Sequence, residues 1–495
     1  MTLGRSLMVF GTASDAGKST LVAGLCRVWA RQGVRVAPFK AQNMARNAYV
    51  CEDGGEIGVA QAVQAIAAHL VPSIDHNPIL LKPEPELCSQ LIVHGVAQGS
   101  FRYRELWQRR PEILAAVEAS LGRLRAAYDV VVLEGAGSPA EINLHAHDIA
   151  NLAAVRSADA RAILVADIDR GGAFAAIIGT LELLPDDVRE RMCGLVINKF
   201  RGDVTLLADG LNFLERRTGL PVLGVIPHTG ELGLPDEDSL AQSRFRTRRR
   251  ASLDELEIAV VDTPCLANFE DVLPLSREPG VLVRLTSVAR ELLEADLVIL
   301  AGSKATAHDL RFLQRTGLGR VIQQRAERGA PVLGICGGAQ MLGQRIEDPE
   351  GVESSEAQLE ALGILPHYTR YEQPKRTLQC AGVLHAFDGN SARVAGFMLH
   401  HGRLLGVKGA ATLTLDDGTP EGHVQGSVVA SMMHRLFDEA AARTALLAWL
   451  RRQRGIEAPP SSAADGVDAY AALADHLERH LACDRLLELT QQSAT

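Results

Sequence analysis

A glycine-rich loop near the start of the chain constrains the fold more than any other feature. Residues Gly11–Thr20 (GTASDAGKST) follow an apolar run, Leu7–Phe10, and open a helical pattern over Lys18–Arg31. Glycines let backbone N–H groups close around phosphate oxygens, and the N-terminus of a helix adds its positive dipole end. The strand–loop–helix context therefore predicts a nucleotide-phosphate site in an α/β domain, rather than a structural glycine turn.

The side chains of this loop have distinct expected roles. Lys18 would reach the terminal phosphates, and the Ser19 hydroxyl would bind Mg²⁺. The spacing departs from the common pattern, because five residues separate Gly11 from Gly17. The nucleotide-binding candidates here are Gly11, Asp15, Gly17, Lys18, Ser19 and Thr20.

Three charged residues elsewhere in the first half could complete this site. Glu134 follows the apolar run Val130–Leu133, so it is expected at the edge of the sheet beside the phosphates, as a metal ligand with Ser19. A surface glutamate at a strand end is the alternative. Asp53 is a second candidate metal ligand, or part of an acidic turn. Lys40 ends the second predicted strand, where a cation could stabilise an acyl phosphate; from the residues alone, a solvated lysine is the more ordinary interpretation.

The chain has 495 residues, too many for one ordinary core. Short apolar runs alternate with helical patterns such as Ile57–His69, which is typical of doubly wound parallel sheets. An Arg-rich stretch, Ser239–Leu253, interrupts the alternation and is expected to be a solvated linker. The predicted strands are Leu7–Phe10, Val34–Phe39, Val130–Leu133, Ala162–Ala166, Leu195–Ile197 and Val222–Val225, then Ile258–Val261, Val281–Arg284, Leu297–Leu300 and Pro331–Ile335.

This pattern predicts two α/β domains and a tail. The expected ranges are 1–240 for a nucleotide-binding domain, 241–256 for the linker, 257–452 for the second domain and 453–495 for the tail. One helix is predicted in the tail, with Tyr470, Leu473, Leu477 and Leu481 on one face. Acidic neighbours disfavour a membrane, so this face is expected to pack on the body or on a second subunit.

Composition excludes several classes of protein. The net charge is -9 and aromatic residues are 4% of the chain, so neither a basic footprint nor stacking platforms for nucleic acid are expected. No run approaches the ~20 apolar residues of a membrane span. Eight cysteines without CxxC pairs favour reduced thiols over disulfides or zinc. We therefore expect a cytoplasmic protein without nucleic-acid or membrane partners; a homo-oligomer is left open.

A second chemical centre is predicted around Cys336. An apolar strand, Pro331–Ile335, runs into a glycine-flanked cysteine, and a helix leaves, as in a nucleophile elbow. Backbone amides there could form an oxyanion hole, and the helix N-terminus would favour the thiolate. A buried structural cysteine is the alternative.

A thiolate hydrolase needs a histidine to move protons. Candidates are His400 or His401 and, further on, His434, and spacing alone does not choose between them. No glutamate lies two residues after His434. A third member must come from elsewhere, or the site works as a dyad.

A nucleotide site joined to a Cys/His glutaminase is typical of a glutamine-dependent amide ligase. In detail the chain resembles the cobyric acid synthase family, which amidates corrinoid side chains, over nearly its whole length to about residue 446. The blocks that carry this resemblance are Gly11–Thr20, Pro38–Met44, Glu52–Gly58, Leu80–Pro83, Glu134–Asn143 (EGAGSPAEIN), Asp148–Asn151, Ala166–Gly172 (ADIDRGG), Asn198–Asp203, Asn268–Phe269, Gly302–Lys304 and Gly334–Gly343.

The resemblance implies a dethiobiotin-synthetase-like ATP domain followed by a type 1 glutaminase-like domain. It implies ATP- and Mg²⁺-dependent amidation of adenosylcobyrinic acid a,c-diamide at carboxylates b, d, e and g, with glutamine as nitrogen donor. Carried over, Cys336 looks like the nucleophile, His434 the general base, Lys40 the phosphate-stabilising lysine and Asn198 the adenine-reading residue.

The sequence departs from the family pattern around the glutaminase site. The family's Gly-Tyr-Glu-Ile-His is GFMLH at Gly396–His400, its Gly-Thr-Tyr-Leu-His-Gly is ASMMHR at Ala430–Arg435, and Ala301 replaces a proline. Two alternatives are a related ligase, such as cobyrinic acid a,c-diamide synthase, and a deviant P-loop switch ATPase of the partitioning type. The switch would need neither Cys336 nor a second α/β domain.

Overall fold

The structure is a computed structural model that describes residues 3–84, 88–229, 244–250, 252, 254–387, 391–457 and 468–492. Its described residues divide into two compact units. Unit 1 comprises those within 3–45, 55–229 and 468–492, and unit 2 comprises 46–54 and those within 244–457. Both units are thus discontinuous in sequence, unlike the continuous ranges predicted above.

The strands are, in chain order, β1 (Arg5–Gly11), β2 (Val36–Phe39), β3 (Gln42–Met44), β4 (Ala48–Val50), β5 (Glu56–Gly58), β6 (Ile79–Pro83), β7 (Cys88–Val93), β8 (Val96–Arg102), β9 (Val130–Glu134), β10 (Arg161–Asp167), β11 (Met192–Phe200), β12 (Val222–Pro227), β13 (Leu256–Val261), β14 (Leu266–Ala267), β15 (Val281–Thr286), β16 (Leu297–Leu300), β17 (Gly302–Ser303), β18 (Val332–Ile335), β19 (Arg345–Glu347), β20 (Gln358–Glu360), β21 (Tyr368–Leu384), β22 (Ala392–Leu405), β23 (Leu413–Leu415), β24 (Pro420–Glu421), β25 (His423–Gln425), β26 (Val428–Ser431) and β27 (Met433–His434).

The α-helices are α1 (Lys18–Arg31), α2 (Val59–Ala67), α3 (Tyr103–Gln108), α4 (Arg110–Ala127), α5 (Leu152–Ser157), α6 (Ala173–Leu183), α7 (Asp186–Arg189), α8 (Ala208–Thr218), α9 (Ala289–Glu294), α10 (Thr306–Thr316), α11 (Leu318–Glu327), α12 (Gly337–Leu342), α13 (Ala440–Arg454), α14 (Ala469–His480) and α15 (Cys483–Gln491). Segments Ile74–His76, Val204–Leu207 and Phe269–Arg277 form 3-10 helices. Among the described residues, the helices are all too short or too polar to cross a membrane.

Unit 1 is built on a parallel sheet with strand order β12-β11-β10-β1-β9-β2. Successive residues of β1 point to opposite faces, with Leu7 and Val9 in one core cluster and Met8 and Phe10 in another. Because both faces are covered, each strand is apolar throughout, which is the pattern seen in the sequence. The doubly wound α/β fold predicted for the first half is confirmed, and a smaller sheet, β3-β6-β7-β8, accompanies it.

The tail belongs to unit 1 and forms two helices, α14 and α15, where one was predicted. Leu473 and Leu477 are buried in the same core cluster as residues of α1. A Cβ at Gly24 of α1 would lie 2.2 Å from Cδ1 of Leu477, so the glycine permits this close approach. The helices are separated at Leu481, because the next residue, Ala482, donates its N–H to the Leu223 carbonyl at 2.9 Å.

Unit 2 contains a second mainly parallel sheet, with order β15-β13-β16-β18-β26-β25 and an antiparallel β25 at its edge. A further sheet, β20-β19-β21-β22-β27, has the long antiparallel pair β21 and β22 at its centre. One continuous apolar core supports both sheets. Here too the α/β prediction is confirmed.

The described part of the Arg-rich segment packs on unit 2. Phe245 is buried, with its ring 5.0 Å from that of Phe269. Arg246 forms an ion pair with Asp262 at 2.6 Å. The segment therefore differs from the solvated linker that its charge predicted, because carboxylates of unit 2 pair with its arginines; residues 239–243, 251 and 253 lie outside the described residues.

Candidate active sites

The phosphate loop of unit 1 has the geometry that its sequence predicted. Gly17 precedes α1 with φ 94°, a left-handed conformation that favours glycine. A Cβ at Gly17 would lie 2.0 Å from Nδ2 of Asn198. The Lys18 ammonium donates to the carbonyls of Ala13 and Gly137, both at 2.9 Å, so it bridges the loop and the residues that follow β9.

Glu134 is the centre of a buried polar cluster beside this loop. Its Oε1 accepts hydrogen bonds from the Ser19 hydroxyl at 2.8 Å and from the Lys40 ammonium at 2.9 Å. Its Oε2 accepts from the Gln64 amide at 2.5 Å. The sheet explains this meeting, because β9 lies between β1 and β2, so the residues at the carboxyl ends of these strands lie side by side.

The charges of this cluster keep Glu134 ionised. Burial alone would raise the pKa of Glu134, but the charge of Lys40 and hydrogen bonds from Lys40, Gln64 and Ser19 outweigh it and lower that pKa. A serine hydroxyl and a carboxylate in contact are the hard oxygen ligands that Mg²⁺ prefers. The residues present thus fit a magnesium ion held by Ser19 and Glu134.

The remaining predicted residues of unit 1 lie around the same loop. Asn198, near the end of β11, donates to the Ala16 carbonyl at 2.9 Å. Asp15 has a positive φ of 59° and forms an ion pair with Lys199 at 3.2 Å. Thr20 is exposed in the first turn of α1. These contacts tie Asn198 and Lys199 to the phosphate loop, and the nucleotide-binding roles of Asp15 and Asn198 stay predictions.

Asp53 is not brought together with the other predicted metal ligands inside one unit. Ser19 and Glu134 belong to unit 1, whereas Asp53 is an exposed residue of unit 2. Its role as a ligand stays a prediction.

In unit 2, Cys336 lies at a sharp turn between β18 and α12. Its φ of 51° and ψ of -106° are strained for a residue with a side chain, a kind of strain that clusters at active sites. A Cβ at Gly338 would lie 1.8 Å from the Leu300 carbonyl oxygen, so only glycine lets the helix leave so close to β16. The first N–H groups of α12 have no intrahelical acceptor and are available as an oxyanion hole.

His434 lies beside this cysteine because β26, the neighbour of β18, leads directly into β27. Its Nδ1 donates a hydrogen bond to Oδ2 of Asp271 at 2.7 Å, and the other carboxylate oxygen accepts the backbone N–H of Arg435 at 2.8 Å. Cys336, His434 and Asp271 are all buried, at 6%, 3% and 1% exposure. The three form a Cys–His–Asp arrangement within one unit.

Electrostatics favour a protonated His434. Burial lowers the pKa of this imidazole, but the charges of Asp271 and Cys336 and hydrogen bonds to both outweigh it and raise the pKa to about 10. An imidazolium next to the sulfur stabilises the thiolate, which is the nucleophilic form of cysteine.

The adjacent pair His400 and His401 has a different environment. Nδ1 of His400 donates to the Gly402 carbonyl at 2.7 Å, and burial lowers the pKa of His400 to about 3. Nδ1 of His401 lies 3.3 Å from the carbonyl oxygen of Glu372. His400 is therefore neutral at physiological pH, unlike His434.

Two residues of these sites were not identified from the sequence. Gln64 lies on α2, six residues beyond the matching block Glu52–Gly58, and no motif in the sequence points to it. Asp271 precedes His434 by 163 residues. Its only signal is the matching block Asn268–Phe269, which ends two residues before it.

Comparison with known proteins matches the two halves of the chain to two different domain families. Residues 7–240 match the sequence model described as the CobQ/CobB/MinD/ParA nucleotide binding domain. Residues 257–442 match the one described as the CobB/CobQ-like glutamine amidotransferase domain. With the phosphate loop and the Cys–His–Asp arrangement, these matches define an ATP-dependent amide ligase that carries its own glutamine amidotransferase domain.

Curated relatives are more specific. The cobyric acid synthase of Sorangium cellulosum is 48% identical over 476 residues, which cover 91% of each chain. Those of Nocardia farcinica and Moorella thermoacetica are 44% and 43% identical, with 99% and 98% of this chain and 97% of each relative covered. The chain therefore belongs to the cobyric acid synthase family.

Proposed function

We propose that this enzyme amidates adenosylcobyrinic acid a,c-diamide at carboxylates b, d, e and g to give adenosylcobyric acid, with ATP as the activating substrate and glutamine as the source of ammonia. We assign this reaction to the cytoplasm. Each carboxylate must be activated, because its oxygen is a poor leaving group.

The glutaminase half-reaction belongs to Cys336 and His434. The thiolate of Cys336 attacks the amide carbon of glutamine, and the carbonyl oxygen takes up negative charge near the N–H groups at the start of α12. The His434 imidazolium gives its proton to the departing nitrogen, so that ammonia leaves and a thioester remains. His434, now neutral, then takes a proton from water as the water oxygen attacks the thioester carbon; glutamate is released, and the Cys336 thiolate and the His434 imidazolium are restored. Asp271 keeps the imidazole ring oriented through Nδ1 in both steps.

The synthetase half-reaction belongs to the cluster around Glu134. Ser19 and Glu134 would hold Mg²⁺, which when bound neutralises charge on the transferring phosphoryl group. Lys18 binds the terminal phosphates, and Lys40 stabilises the acyl phosphate that forms when the corrinoid carboxylate attacks. Ammonia then displaces phosphate and the amide is formed.

One observation carries this proposal: the chain has a phosphate loop and also a His434 side chain that forms hydrogen bonds to both Asp271 and Cys336. A nucleotide switch of the partitioning type has no use for such a centre. The relatives that share the whole chain are named for the synthesis of cobyric acid, which points to the a,c-diamide as the acceptor.

The test is turnover with the corrinoid, ATP, Mg²⁺ and glutamine labelled with ¹⁵N in its amide, with products identified by mass. The expected product is the fully amidated acid with one label in each new amide. Amidation of cobyrinic acid at carboxylates a and c instead would assign the related diamide synthase activity. ATP hydrolysis with no corrinoid product from either acceptor would contradict the proposed function.

Variants of unit 1 test the synthetase half-reaction separately from glutamine hydrolysis. Lys18→Ala and Glu134→Gln should lower amide formation ~10²-fold or more with glutamine and with ammonium alike, because charge stabilisation in phosphoryl transfer is lost. Asp169→Asn, a change at an exposed carboxylate paired with Arg201, is the matched control. Parent-like synthesis in both variants would remove Lys18 and Glu134 from the proposed site.

A further inference from the structure

A short segment of the first half of the chain is part of the glutaminase unit. Residues 46–54, here called the insert segment, belong to unit 2, although the residues on both sides of them belong to unit 1. The segment contains β4 and lies only two residues beyond the end of β3. Inside unit 2, its residues contact the neighbours of Asp271 and His434, the hydrogen-bonded pair of the glutaminase centre.

The first contacts fix the turn that presents Asp271. Oδ1 of Asn47 accepts the backbone N–H of Asn268 at 2.8 Å, and its Nδ2 donates to Glu270 at 2.6 Å. In return, the Asn268 side chain donates to the Ala48 carbonyl at 3.1 Å. Asn268 has a positive φ of 53°, and its carbonyl accepts the N–H of Asp271 at 3.1 Å. Asn47 therefore stabilises a left-handed residue, Asn268, three positions before the Asp271 carboxylate.

The second contacts lie on the side of His434. The ring of Tyr49 meets Phe397 edge-on, with centroids 5.7 Å apart, and Phe397 stacks on the His434 imidazole at 5.2 Å. The Arg435 guanidinium lies 5.7 Å from the centre of the Tyr49 ring, and the Arg435 N–H donates to Asp271. Tyr49 thus touches both neighbours that border the His434–Asp271 pair.

Two more hydrogen bonds anchor the insert segment to unit 2. Arg46 donates to the Pro264 carbonyl at 2.6 Å, and the Gln379 side chain donates to the Val50 carbonyl. Gln379 is paired with Phe397 across β21 and β22. The segment is therefore held to unit 2 at Arg46 and at Val50, and the second contact lies opposite Phe397, whose ring stacks on His434.

We infer that Asn47 and Tyr49 are positioning residues of the glutaminase centre, and that through them the synthetase half of the chain controls the hydrolysis of glutamine. The segment is joined to unit 1 by the chain at both ends, and Lys40, which binds Glu134, precedes it across β3. Under this inference, a displacement of Lys40 on binding of ATP and corrinoid would reach the His434–Asp271 pair along this stretch of chain. This inference rests on the proposed function.

The test compares the release of glutamate from glutamine with and without ATP, Mg²⁺ and corrinoid. Asn47→Ala and Tyr49→Ala should lower kcat roughly 10- to 100-fold with little change in KM, because small displacements of catalytic groups cost about that much. The stimulation by ATP and corrinoid should also fall toward unity. Tyr49→Phe, which keeps the ring, should restore both, and Glu52→Gln, a change at an exposed residue of the same segment, should behave as the parent.

Amidation driven by ammonium is the second measurement and should be retained in all four variants. Equal losses with ammonium and with glutamine would make the segment merely structural and overturn the inference. Parent-like kcat and stimulation in both alanine variants would overturn it as well. If the parent enzyme amidates no corrinoid with either nitrogen source, the proposed function fails, whereas kcat for glutamate release still decides the role of Asn47 and Tyr49.

Discussion

Asp271 and His434 are 163 residues apart in the chain and 2.7 Å apart in the folded unit, joined by a hydrogen bond from Nδ1 to Oδ2. Asp271 is therefore our candidate for the third member of the glutaminase centre, which the sequence left as a dyad or an unassigned triad. Its carboxylate comes from the 3-10 helix Phe269–Arg277 and not from the segment after the histidine.

Asp271→Asn should impair the use of glutamine and spare the use of ammonium. The amide carries no charge, so the imidazolium loses stabilisation and the ring loses its fixed orientation. We expect glutamine hydrolysis to fall ~10²-fold or more, the usual scale for positioned acid–base catalysis. Asp416→Asn, at an exposed carboxylate paired with Arg393, is the matched control. Parent-like hydrolysis would contradict the assignment of Asp271.

The pH dependence of hydrolysis should report the same pair. His434 must hold a proton to release ammonia, and its pKa is raised to about 10 by Asp271 and Cys336 against the effect of burial. We expect kcat/KM for glutamine to stay level through neutral pH and to fall as the pH rises through that pKa. In Asp271→Asn this alkaline limb should move to lower pH, because the negative charge that raises the pKa of His434 is gone. A limb that stays in place would show that another group controls it.

Among the histidines, His434 should carry nearly all of the catalysis. His434→Ala is expected to lose ~10²–10⁴-fold in glutamine hydrolysis. His400→Ala and His401→Ala should lose far less, because His400 is neutral and bonded to the Gly402 carbonyl. The three variants are assayed for glutamate release with ATP and corrinoid present. A dead His400→Ala beside an active His434→Ala would transfer the base to the earlier block.

The parallel sheets, and the sites at their edges, could be predicted from the sequence. Apolar runs bounded by glycine turns indicate strands covered on both faces, and the carboxyl ends of adjacent parallel strands share one edge. The helix Lys18–Arg31 was predicted with the bounds that the structure gives it. The meeting of Lys40 and Glu134 follows from strand order alone.

Contacts that depend on tertiary packing could not be predicted. The local sequence pattern does not show that residues 46–54 belong to unit 2. It does not show the hydrogen bond between Asp271 and His434 either. Packing also sets the helix ends: Ile57, the first residue of a predicted helical pattern, lies in β5, and α2 begins two residues later at Val59. The tail breaks at Leu481 because a backbone bond to Leu223 replaces helical continuation.

The docking of the tail gives a prediction about stability. Gly24→Leu should destabilise the protein by ~1–3 kcal/mol, because the added side chain must displace Leu477 from a filled core. Gly122→Ala is the matched control in α4; no described atom lies within 4 Å of a Cβ there. It should stabilise by ~0.5–1 kcal/mol. Urea unfolding of the two variants measures both effects, and a Gly24→Leu protein as stable as the parent would contradict the packing of α14 on α1.

The most direct test of the whole account is the nitrogen dependence of Cys336→Ala. Without the thiolate no thioester can form, so glutamine should yield no corrinoid amide. Ammonium should support amidation at nearly the parent rate, because the synthetase cluster around Glu134 is untouched. Cys380→Ala, a change at a half-buried thiol of the same unit, should keep both activities. A Cys336→Ala enzyme that still uses glutamine fully, or one equally inactive with high ammonium, would contradict the account.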